Sequence, residues 1–252
     1  MGFLHRTPPA YAPGVAEQSK TVDQALRVLF EIRRGGAGSA TELGRRLGLS
    51  RQAVLRVVST LEAHGVVRRR GNHYELGAGL VELASGLERQ LRADAQGALT
   101  DLVREFGETA VLTIRQGDQA VPIEQVTSPD RMIRIQYQPG QRHPLDQTAH
   151  GRSLLVGLRV TELRMLGIDP AGVADDLARL DELGYLTSHD ELEEGAAGLA
   201  APVRGADGRA VASIGIVAPS VRFPDERAVA RSVRRAAAEV AKRHLGQTRT
   251  VG

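Results

Sequence analysis

Two short, separately capped helices joined by a glycine turn are the feature that most constrains this chain. Ser39 and Glu42 match a capping box, in which the serine hydroxyl takes the third amide of the helix and the carboxylate returns to the cap amide. Leu43 and Leu47 follow at helical spacing, Gly48-Leu49 makes a tight turn, and Ser50 caps a second helix expected over Arg51–Ala63. Two helices joined in this way read as a helix-turn-helix. In the second, Val54, Val57, Val58 and Leu61 form an apolar stripe, leaving Ser50, Arg51, Gln52, Leu55, Arg56 and Ser59 at its start and on its other face. Arginine pairs with guanine edges and glutamine with adenine, so this face suits the major groove of DNA. Leu55 has no donor, and it either touches a thymine methyl or is partly buried.

The flanking segments complete a module. Upstream, Val22, Ala25, Leu26, Leu29 and Phe30 share one helical face, with Thr21 and Gln24 as the expected capping box and Gly35-Gly36 as the stop. Downstream, two short strands around Gly71-Asn72 read as a β-hairpin, which after a helix-turn-helix is a wing. Its Arg68, Arg69, Arg70 and Asn72 are expected to lie along phosphates or to enter the minor groove. Charge is distributed accordingly. Residues 20–80 hold eleven basic and five acidic side chains, whereas from Gln96 onward nineteen basic face twenty-one acidic. Positive charge concentrated in one short module is the footprint of phosphate binding.

Composition removes several alternatives. The chain has no cysteine, so disulfides, thiolate metal sites and a cysteine nucleophile are excluded. No apolar run reaches the roughly 20 residues of a membrane span, and residues 1–18 read as a flexible Pro- and Ala-containing tail. A cytoplasmic location is expected. There is no Gly-x-Ser-x-Gly elbow, phosphate-binding lysine loop or dinucleotide fingerprint. The expectation is therefore a binding protein without cofactor, metal or catalytic residue.

The remaining chain reads as a connector and a larger domain. Leu80, Leu83, Leu87 and Leu91 suggest a linker helix over 80–92, between a DNA-binding domain at 19–79 and a second domain at 93–247. That apolar stripe, and another at Leu99, Leu102, Val103 and Phe106, packs either on its own domain or on a second chain. Strands are expected at 110–115, 120–126, 132–137, 199–203 and 210–217. Helices are expected at 148–158 with Thr148 as cap, 161–166, 170–183 and 225–244. Together these give an α+β fold around a central, mainly antiparallel sheet. Arg142, His143, Asp146, Thr148, His150 and Arg152 cluster around one helix start, where free amides favour an anion, so a carboxylate ligand is expected. Asp190, Glu191, Glu193 and Glu194 read as a solvated acidic face.

The stretch ATELGRRLGLSRQAVLRVVSTLEAHGVVRRRGNHYELG (40–77) resembles the DNA-binding domain of the isocitrate lyase regulator (IclR) family. QPGQRHPLDQTAHGRSLLVGL (138–158) and LDELGYLTSHDELEEGAAGLAAPVRGADGRAVASIGIVAPSVRF (180–223) resemble its effector-domain segments. The likeness runs from Lys20 to about Gly246. It implies a winged helix-turn-helix joined by a helix to a GAF-like effector-binding domain. It also implies a dimer or dimer of dimers on a palindromic double-stranded operator, mostly as a repressor, controlled by a small molecule. The implied pocket uses Met132, Ile135, His143, Thr148, Ala149 and His150, closed by Ser188, Gly198 and Leu199. This chain departs from the family's usual residues at Leu55, His150, Arg152 and Gly198, positions on the reading face and near the pocket. A constitutive DNA-binding protein with an inert second domain is the alternative.

Overall fold

The computed structural model describes residues 19–85, 88–138 and 140–248. The tail expected over 1–18, and Leu87 of the connector stripe, lie outside the described residues. The chain divides after Leu87 into two compact units.

The first unit holds α1 (Lys20–Gly35), α2 (Ala40–Leu47), α3 (Arg51–Ala63), the hairpin β1 (Val67–Arg70) and β2 (His73–Leu76), and α4 (Gly79–Ser85). Both expected caps are present. The Ser39 hydroxyl accepts from the Glu42 amide at 3.3 Å while the Glu42 carboxylate accepts from the Ser39 amide at 2.8 Å. The Ser50 hydroxyl accepts from the Ala53 amide at 3.1 Å. Gly48 turns the chain between them at φ 67, in the left-handed region that a Cβ disfavours. Val28, Ile32, Leu43, Val54, Val57, Val58, Val67 and Tyr74 form the core. Tyr74 also exchanges backbone hydrogen bonds with Gly38 (2.9 and 3.3 Å), fastening the wing to the entry of α2.

Two expectations about α1 need correction. Ser19, not Thr21, is its cap, accepting from the Val22 amide at 3.5 Å. Its buried stripe is Val28 and Ile32, with Ala25 and Leu29 packed alongside, whereas Val22, Leu26 and Phe30 are 50–59% exposed. The helix carries apolar residues on two adjacent stripes, and α2 and α3 select one of them. The linker helix expected over 80–92 is also not one helix. α4 ends at Ser85, and α5 (Arg89–Phe106) begins after Glu88, whose φ of 44 is incompatible with a continuing helix. Leu91 is buried in the second unit's core, while Leu83 is exposed.

The second unit is a six-stranded antiparallel sheet ordered β5-β4-β3-β8-β7-β6. Its strands are β3 (Thr109–Gln116), β4 (Gln119–Val126), β5 (His143–Pro144), β6 (Leu186–His189), β7 (Ala196–Arg204) and β8 (Ala210–Pro219). Strand alternation sends Leu199, Ala201 and Val203 of β7 into the core shared with α5 and α9 (Glu226–Thr248). Ala200 faces the other way, towards α6 (Thr148–Ser153) and α8 (Pro170–Leu183), with α7 (Val160–Met165) beside α8. The strand expected at 132–137 is absent. The Gln125 side chain instead bonds both backbone groups of Tyr137, accepting from its amide at 3.0 Å and donating to its carbonyl at 2.8 Å. A side chain thus stands where a ladder would have continued. The helix expected over 148–158 stops at Ser153, and β6 was not expected.

Candidate nucleic-acid interface and ligand cavity

On α3, burial of Val54, Val57 and Val58 fixes which residues face outward. Arg51, Gln52, Arg56 and Ser59 are exposed, Ser50 stands at the N-cap, and Leu55 is half-buried against the core. Leu55 therefore contributes packing as well as surface. None of the Arg51, Gln52 and Arg56 side chains has an intrachain partner among the described residues, so their donors are free. The wing arginines differ. Arg68 forks onto Glu75 at 2.8 and 3.1 Å, Arg70 reaches the same carboxylate at 3.5 Å, and Arg69 donates to the Gly71 carbonyl at 3.0 Å. Glu75 offsets part of the wing's charge, a cross-strand pairing that the hairpin register (Arg68 opposite Glu75) makes possible. Asn72 is exposed at the turn. Arg45, exposed on α2 and without a partner among the described residues, is a further cation of the same unit that the sequence did not single out.

In the second unit a partly open cavity lies beside α6, β6 and β7. Of the residues expected there, Ile135, Thr148, His150, Ser188 and Gly198 line it. Four do not. Met132 is fully exposed. Ala149 is buried against Val156, Leu180, Leu186 and Ala200. Leu199 points through the sheet into the α5/α9 core, one residue out of phase with Gly198. His143 is buried behind the lining, stacked on Tyr137 with ring centroids 6.0 Å apart, and its Nδ1–H donates to the Pro144 carbonyl at 3.0 Å. The cavity adds Tyr137, Gln141, Glu191, Leu192, Glu193 and Val217. Asp190, Glu191, Glu193 and Glu194, expected as a solvated acidic face, are exposed, but Glu191 also turns its carboxylate to Arg152.

The centre of the arrangement is an ion pair. Arg152 grips Glu191 at 2.5 and 2.7 Å, and its Nε lies 2.8 Å from Asp176. The Thr148 amide donates to the same Glu191 carboxylate at 2.8 Å. Burial pushes the Glu191 pKa up, but the Arg152 and Thr148 hydrogen bonds and the Arg152 charge outweigh it and hold the carboxyl below its ordinary range. Thr148 adopts φ 64, a strained conformation for a β-branched residue, with its hydroxyl accepting from the Gly151 amide at 3.1 Å. Thr148 was expected at the N-cap, but Gln147 stands there and Thr148 is the first residue of α6, its hydroxyl still taking the Gly151 amide. His150 is fully buried, with Nδ1 3.0 Å from the Ser213 hydroxyl. Burial, then the neighbouring His143, push its pKa down to about 3, so the ring is neutral. Burial likewise raises Tyr137 to about 12 and leaves its hydroxyl protonated.

A winged helix-turn-helix with an exposed donor face on α3, followed by an α+β domain with a cavity beside its sheet, has the architecture of a DNA-binding regulator. Residues 86–242 match the model of the bacterial transcriptional regulator IclR C-terminal domain, and residues 23–73 match a MarR-family model. The chain is 32% identical over 232 residues to the HTH-type transcriptional regulator Rv1719 of Mycobacterium tuberculosis, covering 86% of each. It is 27% identical over 240 residues to the transcriptional repressor IclR of Escherichia coli, covering 87% of each. A crystal structure of an IclR homologue from Microbacterium hydrocarbonoxydans, complexed with 4-hydroxybenzoate, shares the fold. Its TM-score is 0.77 at 21% identity, over 89% of this chain and 99% of that one. The chain belongs to the IclR family of transcriptional regulators. Among the described residues no helix is long and apolar enough to cross a membrane.

Proposed function

We propose that this protein is a cytoplasmic repressor that binds a palindromic operator as a dimer and releases or tightens on it when a small molecule occupies the second-domain cavity. The observation that carries this reading is the exposed set Arg51, Gln52 and Arg56 on α3, without partners among the described residues and backed by a packed apolar stripe. On this reading Ser50, Arg51, Gln52, Leu55, Arg56 and Ser59 meet the major groove, while Arg68, Arg69, Arg70 and Asn72 meet the backbone beside it. Self-association is supported by exposed Val22, Leu26 and Phe30 along one stripe of α1, and by exposed Val81 and Leu83 on α4. A two-fold dimer presents two recognition helices to two half-sites, as a palindrome requires. A dimer of dimers extends this to paired operators. Repression is supported by the E. coli relative, which is named a repressor.

Ligand control is supported by the cavity and by a homologue of the same fold that holds a hydroxybenzoate. The carboxylate effector expected from the sequence rested on free amides at the helix start, with two histidines and arginines nearby. Glu191 now fills that start and pairs with Arg152, so the lining favours a small molecule of other chemistry. Binding without turnover is the role that the named relatives support. A fluorescence titration against the protein's own upstream DNA tests operator binding, and a repeat with cavity ligands tests control. Tight, salt-sensitive binding that a ligand alters supports the whole reading. Tight binding indifferent to ligands that occupy the cavity supports a constitutive DNA-binding protein.

A further inference from the structure

Among the described residues the cavity presents no cation to a ligand. None of its described lining residues is lysine or arginine, and His150 is fully buried and linked to Ser213. Arg152 is already taken by Glu191 and Asp176, and Arg142 is exposed and not part of the lining. The Thr148 amide, which a ligand carboxylate would otherwise use, is occupied by Glu191. The acidic side chains that line the cavity are Glu191 and Glu193, and Glu193 pairs with no cation among the described residues. An incoming acid would lose its hydration beside Glu193 and beside a Glu191 already paired with Arg152, with no free cation to compensate it. The free hydrogen-bonding groups are neutral. The Ser188 hydroxyl has no intrachain partner among the described residues, and the Gln141 amide nitrogen is open because its oxygen accepts from the Gln138 amide. Ile135, Leu192 and Val217 supply an apolar surround.

We propose that Glu191 is a built-in carboxylate that closes this cavity to acids, and that the cavity selects an uncharged ligand carrying hydroxyl or amide groups on an apolar body. The proposal rests on the reading of the cavity as the effector site and names the ligand class for it. Glu191 is then a specificity residue, since it occupies with the chain's own carboxylate the place that an acidic ligand would need.

The test is calorimetric titration of the full-length protein with 4-hydroxybenzoate, 4-hydroxybenzamide, 4-hydroxybenzyl alcohol and 4-hydroxybenzylamine, a series differing mainly in charge. On the wild type, the amide or the alcohol is expected to bind about tenfold or more tightly than the acid. In Glu191→Ala the vacated Thr148 amide and Arg152 become available, and the acid is expected to gain about tenfold. Glu191→Gln, which keeps the side-chain size, is expected to shift the acid-to-amide ratio in the same direction and serves if the alanine variant does not fold. The proposal is overturned if the wild type binds the acid as tightly as the amide, if the amine is the tightest member, or if a folded Glu191 variant shows no gain for the acid. Gly198→Leu separates this failure from failure of the cavity reading. A Cβ at Gly198 would stand 3.1 Å from the Ser188 hydroxyl, so the leucine fills the cavity. Binding that survives Gly198→Leu, or no binding by any member, overturns the cavity reading and the proposal with it.

Discussion

Alanine at Arg51 or at Arg56 is expected to separate recognition from folding. Both side chains are exposed on α3 and neither has an intrachain partner among the described residues. Truncating such a group changes stability by no more than about 0.5 kcal/mol. A bidentate contact to a base edge is worth ~1–3 kcal/mol of discrimination. On a two-fold operator each substitution acts in both half-sites, giving about 2–6 kcal/mol, or roughly 30-fold to 10⁴-fold in affinity. The assay is fluorescence anisotropy with operator and scrambled duplexes at fixed salt, alongside thermal denaturation and sedimentation of each variant. The expected result is a large loss for the operator, a small loss for the scrambled duplex, and an unchanged melting transition and oligomeric state. Operator affinity unchanged in both variants would refute α3 as the reading element. Equal losses on both duplexes would make these arginines phosphate contacts.

Further outcomes follow from the packing and charges. A Cβ on Gly44 would stand 2.7 Å from the Leu49 carbonyl oxygen, so Gly44→Ala is expected to destabilise the first unit by ~1–3 kcal/mol and weaken DNA binding. Chemical denaturation followed by a probe in each unit checks it, since the second unit's transition should not move. Arg152→Met leaves Glu191 and Asp176 without their cation; as both carboxylates are about 30% exposed, a loss near 2–3 kcal/mol is expected in the second unit, at the low end for a buried pair, read by urea denaturation. His150 has its folded pKa depressed to about 3 from an ordinary 6.5. Its contribution is therefore fully present above pH 6.5 and is lost as pH falls towards 3, by about 2 kcal/mol between pH 7 and pH 5. His150→Asn should flatten that part of the stability profile, and an equally steep profile in the variant would count against a neutral buried ring.

The parts of this fold legible in the sequence are those set by neighbours along the chain. Ser39 with Glu42, Ser50, Gly48 and the Gly71-Asn72 hairpin are local devices, and each forms as its residues suggest. Periodicity in α1 was ambiguous because two stripes were apolar, and only packing against α2 and α3 decides between them. The stretch at 132–137 alternates like a strand, yet Gln125 takes up the Tyr137 backbone groups and the ladder ends. In the cavity, Gly198 and Leu199 were both singled out, but a strand places them on opposite faces. The Glu191–Arg152 pair spans thirty-nine residues and depends on β6 bringing the acidic loop to α6. An acidic run read in isolation looks solvated, and its partner appears only once the sheet is assembled.

The central claim is that ligand occupancy of the second domain changes operator affinity, and one linked titration addresses it. Operator DNA is titrated with the protein at fixed salt, first alone and then with a compound shown by calorimetry to occupy the cavity at saturating concentration. The account predicts a shift in operator Kd of about 5- to 150-fold, the usual range of allosteric coupling, matched by an equal shift in ligand affinity when DNA is bound. Identical operator affinity with the cavity empty and full would contradict it.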